Sequence, residues 1–154
     1  MSSPAVGQQA PDFTLEGVEA GVRRSFSLRD ARGGPVVLAF YPGDDTLTCT
    51  KQLCSYQDDL SLLTGLGATL WGISSQDLAS HERFATKRSL SFPLLADPDR
   101  VAIKAFGADG ALGRTKRSVF VIDGAGVVRF AHVSILGITY QDTDTIAAAL
   151  TSLS

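Results

Sequence analysis

The sequence predicts an α/β protein: a central mixed β-sheet flanked by helices, with a β-hairpin extension at the N-terminus. Three observations carry this expectation. Continuous β-rich apolar runs at residues 35–41 and 68–73 read as strands covered on both faces. Between and after them, apolar residues recur at spacings of three and four, the period of a helix packed on a sheet. Two more β-rich runs, 118–122 and 127–133, are joined by Asp123-Gly124-Ala125-Gly126, a hairpin signal. At 154 residues the chain suits a single domain over 1–154 that builds its core without disulfides or metal.

Each element has its own signal. Residues 12–15 and 25–28 are short extended pieces separated by Gly17 and Gly21, which predicts a peripheral hairpin. The strand at 35–41 hands over to a helix marked by Leu53, Tyr56, Leu60 and Leu63, with Cys49 one step earlier on the same stripe. Gly65 and Gly67 end that helix. After the strand at 68–73, Ser74-Ser75-Gln76-Asp77 is rich in capping residues, so a helix is expected through about Arg88. Phe92-Pro93-Leu94-Leu95 reads as a short strand, and Asp97-Pro98-Asp99 starts a brief helix to Phe106. Gly107, Gly110 and Gly113 make a flexible connection to the final hairpin. The last helix buries Ile146, Leu150 and Leu153, with Asp142 or Thr143 as its cap. Crossover units followed by a hairpin are the thioredoxin-like arrangement.

Composition excludes several function classes. A formal net charge of −2 gives no electrostatic reason to expect nucleic acid or an anionic membrane as partner. The longest strongly apolar run, 36–41, is far too short to span a bilayer. The start, Met1-Ser2-Ser3-Pro4-Ala5, lacks the charge and apolar stretch of a signal peptide. Two cysteines do not make a disulfide-stapled secreted scaffold. The expected location is therefore a reducing cytosol (a cytoplasmic protein), where a close cysteine pair points to redox catalysis or metal binding.

Those two cysteines are the centre of interest. Cys49 follows Tyr41-Pro42-Gly43-Asp44-Asp45-Thr46-Leu47-Thr48, where strand gives way to helix. Unpaired backbone N–H groups and the positive end of the helix dipole at a helix start favour thiolate over thiol. Pro42 has no N–H and can wall a pocket without needing a partner. Thr46 brings a hydroxyl that both donates and accepts. The competing reading is plain packing, since free cysteine is among the most buried residue types and Cys49 lies on the Leu53/Tyr56/Leu60 stripe. Cys54 comes five residues later, about 140° around a helix and about 7.5 Å along it. A disulfide needs Cα atoms within about 7 Å and converging side chains, so joining the two requires the helix start to unwind.

Other constellations carry less. Two thiolates with His81 and His132 make four zinc ligands in number, but the spacing is not that of a zinc site. His81 reads as an exposed helix position and His132 as a strand residue, and neither is given chemistry. No metal and no organic cofactor is expected. The glycines at 107, 110 and 113 precede a strand rather than a helix, which excludes a phosphate loop. Arg114, Lys116 and Arg117 are too few for a nucleic-acid patch, yet one arginine near Cys49 would favour thiolate.

Together these residues resemble a known family. Pro42-x-x-x-Thr46-x-x-Cys49 is similar to the active-site motif of the peroxiredoxins, and Cys54 five residues on resembles the Q-type branch, the bacterioferritin comigratory proteins. The similarity covers nearly the whole chain. Residues 10–15, Gly72-Ile73-Ser74-Ser75, 92–98 and 117–123 look like successive family segments in the right order. The resemblance implies a thioredoxin-like fold and a peroxidase. Cys49 would be the peroxidatic cysteine, Arg117 would stabilise its thiolate and orient the peroxide, Thr46 would bond the peroxide oxygens, and Pro42 would shield the pocket. Cys54 would condense with the Cys49 sulfenic acid, and thioredoxin or a similar dithiol would reduce the disulfide. The implied partners are a peroxide and that reductant, in a monomer or homodimer.

Two departures stand out. Leu47-Thr48 replaces the Pro-Gly usual in the branch, and the negative charges of Asp44 and Asp45 oppose thiolate formation unless they point to solvent. Arg117 rather than Arg114 has the matching position relative to Phe120. Two other functions remain open: a disulfide-exchange or redox-sensing module, disfavoured by the lack of a Cys-x-x-Cys pair, and a binding protein whose cysteines merely pack.

Overall fold

The computed structural model describes residues 3–44, 46–110, 113–134 and 140–153. Seven strands form one sheet: β1 (Thr14–Glu19), β2 (Val22–Ser27), β3 (Val36–Phe40), β4 (Thr69–Ser74), β5 (Leu94–Ala96), β6 (Ser118–Ile122) and β7 (Val128–Val133). Their order across the sheet is β2-β1-β5-β4-β3-β6-β7. β3, β4 and β5 are parallel neighbours, and the other pairings are antiparallel, so the sheet is mixed as expected.

The N-terminal hairpin is less peripheral than its sequence suggests. β1 pairs with β2, but Gly17 and Val18 also pair with Leu95 and Leu94 of β5, which joins the hairpin to the main sheet. Gly17 permits this close approach: a Cβ there would meet the Leu94 carbonyl oxygen of β5 at 3.0 Å and the Phe26 ring at 2.8 Å.

Alternation along β3 divides the core. Val36, Leu38 and Phe40 face one cluster with Trp71, Phe106 and Phe120. Val37, Ala39 and Tyr41 face the other, with Cys49, Leu53, Tyr56, Phe84 and Ile146. This two-sided burial is why the strand reads as an unbroken apolar run. Helices α1 (Leu47–Asp58), α2 (Leu60–Gly65), α3 (Leu78–Arg88) and α5 (Thr143–Thr151) supply the Cys49 side, and α4 (Val101–Ala105) supplies the other.

The expected single helix over 49–65 is two helices. Asp59 leaves helical geometry at φ −103°, ψ 13°, ending α1 and starting α2. Asp58 and Asp59 place two carboxylates at the negative end of the α1 dipole, which disfavours extension. Leu63 still reaches the core, so the apolar period survives the break. The other helix starts follow their caps. Asp77 accepts from the Ser80 amide, Asp142 accepts from the Thr145 amide, and the buried Asp97 carboxylate accepts from Val101 N and Ile103 N. Among the described residues no helix is long and apolar enough to cross a membrane.

Candidate active site

The site lies where β3 ends and α1 begins, at the carboxyl end of the parallel strands. Thr46 is the N-cap of α1: its Oγ1 accepts from Cys49 N at 3.4 Å and donates to the Gly43 carbonyl at 3.3 Å. One side chain thus closes the turn and sets the first helical residues. Pairing of β3 with β6 brings the second half of the site. Phe40 lies opposite Ser118, so Arg117 enters the sheet beside the exit of β3.

Arg117 is buried, and its Nη2 donates to Cys49 Sγ at 3.2 Å. Cys49 itself is fully buried, as the packing reading expects, but it packs with a guanidinium on its sulfur. A bond from a charged donor is stronger to a thiolate than to a neutral thiol. Arg114 is exposed on the preceding loop. Pro42 and Thr46 are exposed on the segment between β3 and α1. Of the five expected site residues, Thr46 and Arg117 each hydrogen-bond Cys49, and Pro42 lies on the exposed segment before α1. Cys54 is partly buried on α1, packed against the same apolar cluster, and both cysteines are free thiols.

Residues outside the sequence expectation complete the site. Arg117 Nη1 donates to Gln52 Oε1 at 2.6 Å, Gln52 Nε2 donates to Tyr56 Oη at 3.0 Å, and Tyr56 donates to the Gln141 carbonyl at 2.7 Å. Burial raises the Tyr56 phenol well above its ordinary value, so it is a neutral donor. A signal for these residues is present in the sequence. Gln52 and Tyr56 sit three and seven positions after Cys49, on one helix face.

His81 corrects the sequence reading outright. It is fully buried rather than exposed, with Nδ1 2.7 Å from Asp44 Oδ2 and Nε2 3.0 Å from the Leu95 carbonyl oxygen. Both ring nitrogens thus have an oxygen partner. Asp44 therefore does not point to solvent. Tyr41 and Ser80 also donate to its carboxylate, each at 2.7 Å, and the Gln76 side chain accepts from its amide. Burial alone would raise the Asp44 carboxyl. The hydrogen bond and charge of His81, with the Tyr41 and Ser80 bonds, outweigh that and hold it below the ordinary value. Its charge is thus met by partners on α3, and the loop before α1 is anchored to α3. Asp45 lies outside the described residues. His132 lies on β7, as expected, and among the described residues no cluster of His, Cys, Asp or Glu is arranged to hold a metal.

A depressed carboxyl contributes stability that is present above its unfolded value and lost as pH falls through the folded one. Thermal melts of the wild type should therefore drop as pH falls below about 4. Asp44→Asn should cost about 3 kcal/mol at neutral pH, because it leaves a buried partner uncompensated, and should flatten that acid slope. An unchanged slope in Asp44→Asn would remove the pair from the account.

Comparisons with known proteins show the family and the fold. The AhpC/TSA family model matches residues 6–131. A Coxiella burnetii protein named peroxiredoxin bcp is 38% identical over 130 residues, covering 80% of this chain and 84% of that protein. A chloroplastic peroxiredoxin Q of Oryza sativa subsp. japonica is 39% identical over 128 residues, covering 82% of this chain. The chain spans 58% of the length of that plant relative. Among solved structures, Enterococcus faecalis AhpC superimposes with a TM-score of 0.90 at 21% identity, covering 97% of this chain and 92% of that one. The reduced 2-Cys peroxiredoxin of Plasmodium vivax does so with a TM-score of 0.90 at 22% identity, covering 96% and 95%. At such identities the structures speak for the thioredoxin-like fold alone.

Proposed function

This chain belongs to the AhpC/TSA family, among peroxiredoxins of the Q and bcp type, and from that premise we propose that it is a thiol peroxidase acting through Cys49. The observation that carries the reading is the Arg117 guanidinium on Cys49 Sγ at the capped start of α1. In the proposed reaction the Cys49 thiolate attacks one peroxide oxygen. The O–O bond breaks, the leaving oxygen takes a proton to become water or an alcohol, and Cys49 becomes a sulfenic acid. Arg117 donates to sulfur and to the charge developing on oxygen. The Thr46 hydroxyl already donates to Gly43, so its remaining lone pair accepts from the peroxide O–H. Pro42, exposed on the segment between β3 and α1, would limit water at the thiol.

Cys54 is the proposed resolving thiol. Its thiolate attacks the Cys49 sulfur, an S–S bond forms and water leaves. Because the two cysteines lie within the intact α1, this step requires the start of that helix to unwind. The disulfide then takes two electrons from thioredoxin or a similar dithiol, which makes the cycle that of an atypical 2-Cys peroxiredoxin. Full burial of Cys49 gives the same unwinding a second use, since it opens the sulfur to the surface.

Cys54→Ser tests this branch. With one equivalent of peroxide it should complete a single turnover and hold a sulfenic acid that dimedone traps, with excess peroxide driving it on to sulfinic acid. Wild type should instead form an internal disulfide seen by mass spectrometry of non-reduced peptides. Multiple turnovers of Cys54→Ser with thioredoxin, at the wild-type rate, would take Cys54 out of the mechanism.

A further inference from the structure

We propose that Tyr56 is a positioning residue for the peroxidase: its hydroxyl orients the Gln52 amide and, through it, the Arg117 guanidinium beside Cys49. The inference rests on the reading above, in which Arg117 acts on the Cys49 sulfur. Its direction follows from which groups donate and which accept. The Gln141 backbone carbonyl only accepts, so the single Tyr56 hydroxyl proton goes there, at 2.7 Å. The Tyr56 oxygen then accepts, and only the NH₂ end of Gln52 can donate to it, at 3.0 Å. That turns Gln52 Oε1 to Arg117, where it accepts from Nη1 at 2.6 Å. With Nη1 held, the planar guanidinium presents Nη2 to Cys49 Sγ at 3.2 Å.

A flipped Gln52 amide would set donor against donor at Arg117. Gln52 and Tyr56 are both fully buried, so solvent does not stand in for a missing bond. The Tyr56 ring is held in turn by an edge-to-face contact with Tyr140, centroids 6.2 Å apart at 88°. The segment leading into α5 thereby reaches the reacting sulfur through three side chains. The Tyr56 hydroxyl is bonded to Gln52 and Gln141, so it acts through its neighbours.

Stopped-flow reaction of the reduced full-length chain with hydrogen peroxide tests this. Tyr56→Phe should lower the second-order rate constant about tenfold, the equivalent of one well-made hydrogen bond. In the Gln52→Glu background the acceptor is a carboxylate with two equivalent oxygens and no orientation to set. There, adding Tyr56→Phe should change the rate by less than about twofold. A merely structural role would lower both backgrounds by the same factor, and that result overturns the proposal. So does a Tyr56→Phe protein that reacts as fast as wild type. A wild-type measurement stands independently of how the variants fold. The Gln52 Nε2 protons should exchange slowly with solvent in nuclear magnetic resonance spectra, and rapid exchange overturns the proposal. A wild type that leaves peroxide untouched overturns the peroxidase reading instead, and is told apart from these outcomes by that fact.

Discussion

Cys49→Ser should bring peroxide consumption down to the level of a buffer blank, with the fold intact. In the proposed reaction the thiolate is the nucleophile in O–O cleavage, and a serine hydroxyl neither ionises near neutral pH nor offers a polarisable sulfur lone pair. The fold survives because the change is nearly isosteric and the new hydroxyl inherits the Arg117 donor that met the sulfur. Burying a hydroxyl there costs about 1–2 kcal/mol, which lowers Tm by a few degrees in a chain of this size. Peroxide loss followed over time, beside a thermal melt, checks both halves. Residual turnover that persists in Cys49→Ser and disappears in Cys54→Ser would move the chemistry to the second cysteine.

Arg117→Met should lower the rate constant of Cys49 with hydrogen peroxide by about 10²–10³-fold, the usual loss when one preorganised donor at a reacting centre is removed. Methionine keeps most of the buried volume, so the site does not collapse. It removes the guanidinium bonds to Gln52 and Cys49, however, and leaves Gln52 Oε1 without its Arg117 donor, which costs about 1–3 kcal/mol of stability. Arg117→Lys should recover little. An ammonium is a point donor and cannot hold Gln52 and the Cys49 sulfur in one plane as the guanidinium does. Arg114→Met, on an exposed loop residue, is the control and should react as wild type. If Arg114→Met is the slow variant, the choice between the two arginines was wrong.

The strands were legible because their burial is nearly complete. β3 and β6 are buried at every position, so continuous apolar runs identified them without reference to their neighbours. The break at Asp59 was hidden for a related reason. Apolar spacing reports which face is covered, and Leu53, Tyr56 and Leu63 are all covered whether or not the backbone bonds run on through Asp59. His81 reads as exposed because its neighbours Glu82 and Arg83 are partly buried and exposed residues of an amphipathic helix, while its partner Asp44 is 37 residues away. Burial of a polar side chain is decided by such distant partners, which a local window does not contain. Cys49 and Thr46 were found through the chemistry of a helix start, and Arg117 through family resemblance. Gln52 stands at a helical spacing from Cys49, but the partner that gives its amide a role, Arg117, is 65 residues away in the chain.

One experiment bears on the whole scheme most directly. Reduced wild type is mixed with a single equivalent of hydrogen peroxide, quenched with an alkylating agent within milliseconds, and its cysteine peptides are weighed. The scheme requires Cys49 to be the first sulfur modified, ahead of any change at Cys54. An untouched Cys49, or oxidation beginning at Cys54, contradicts it.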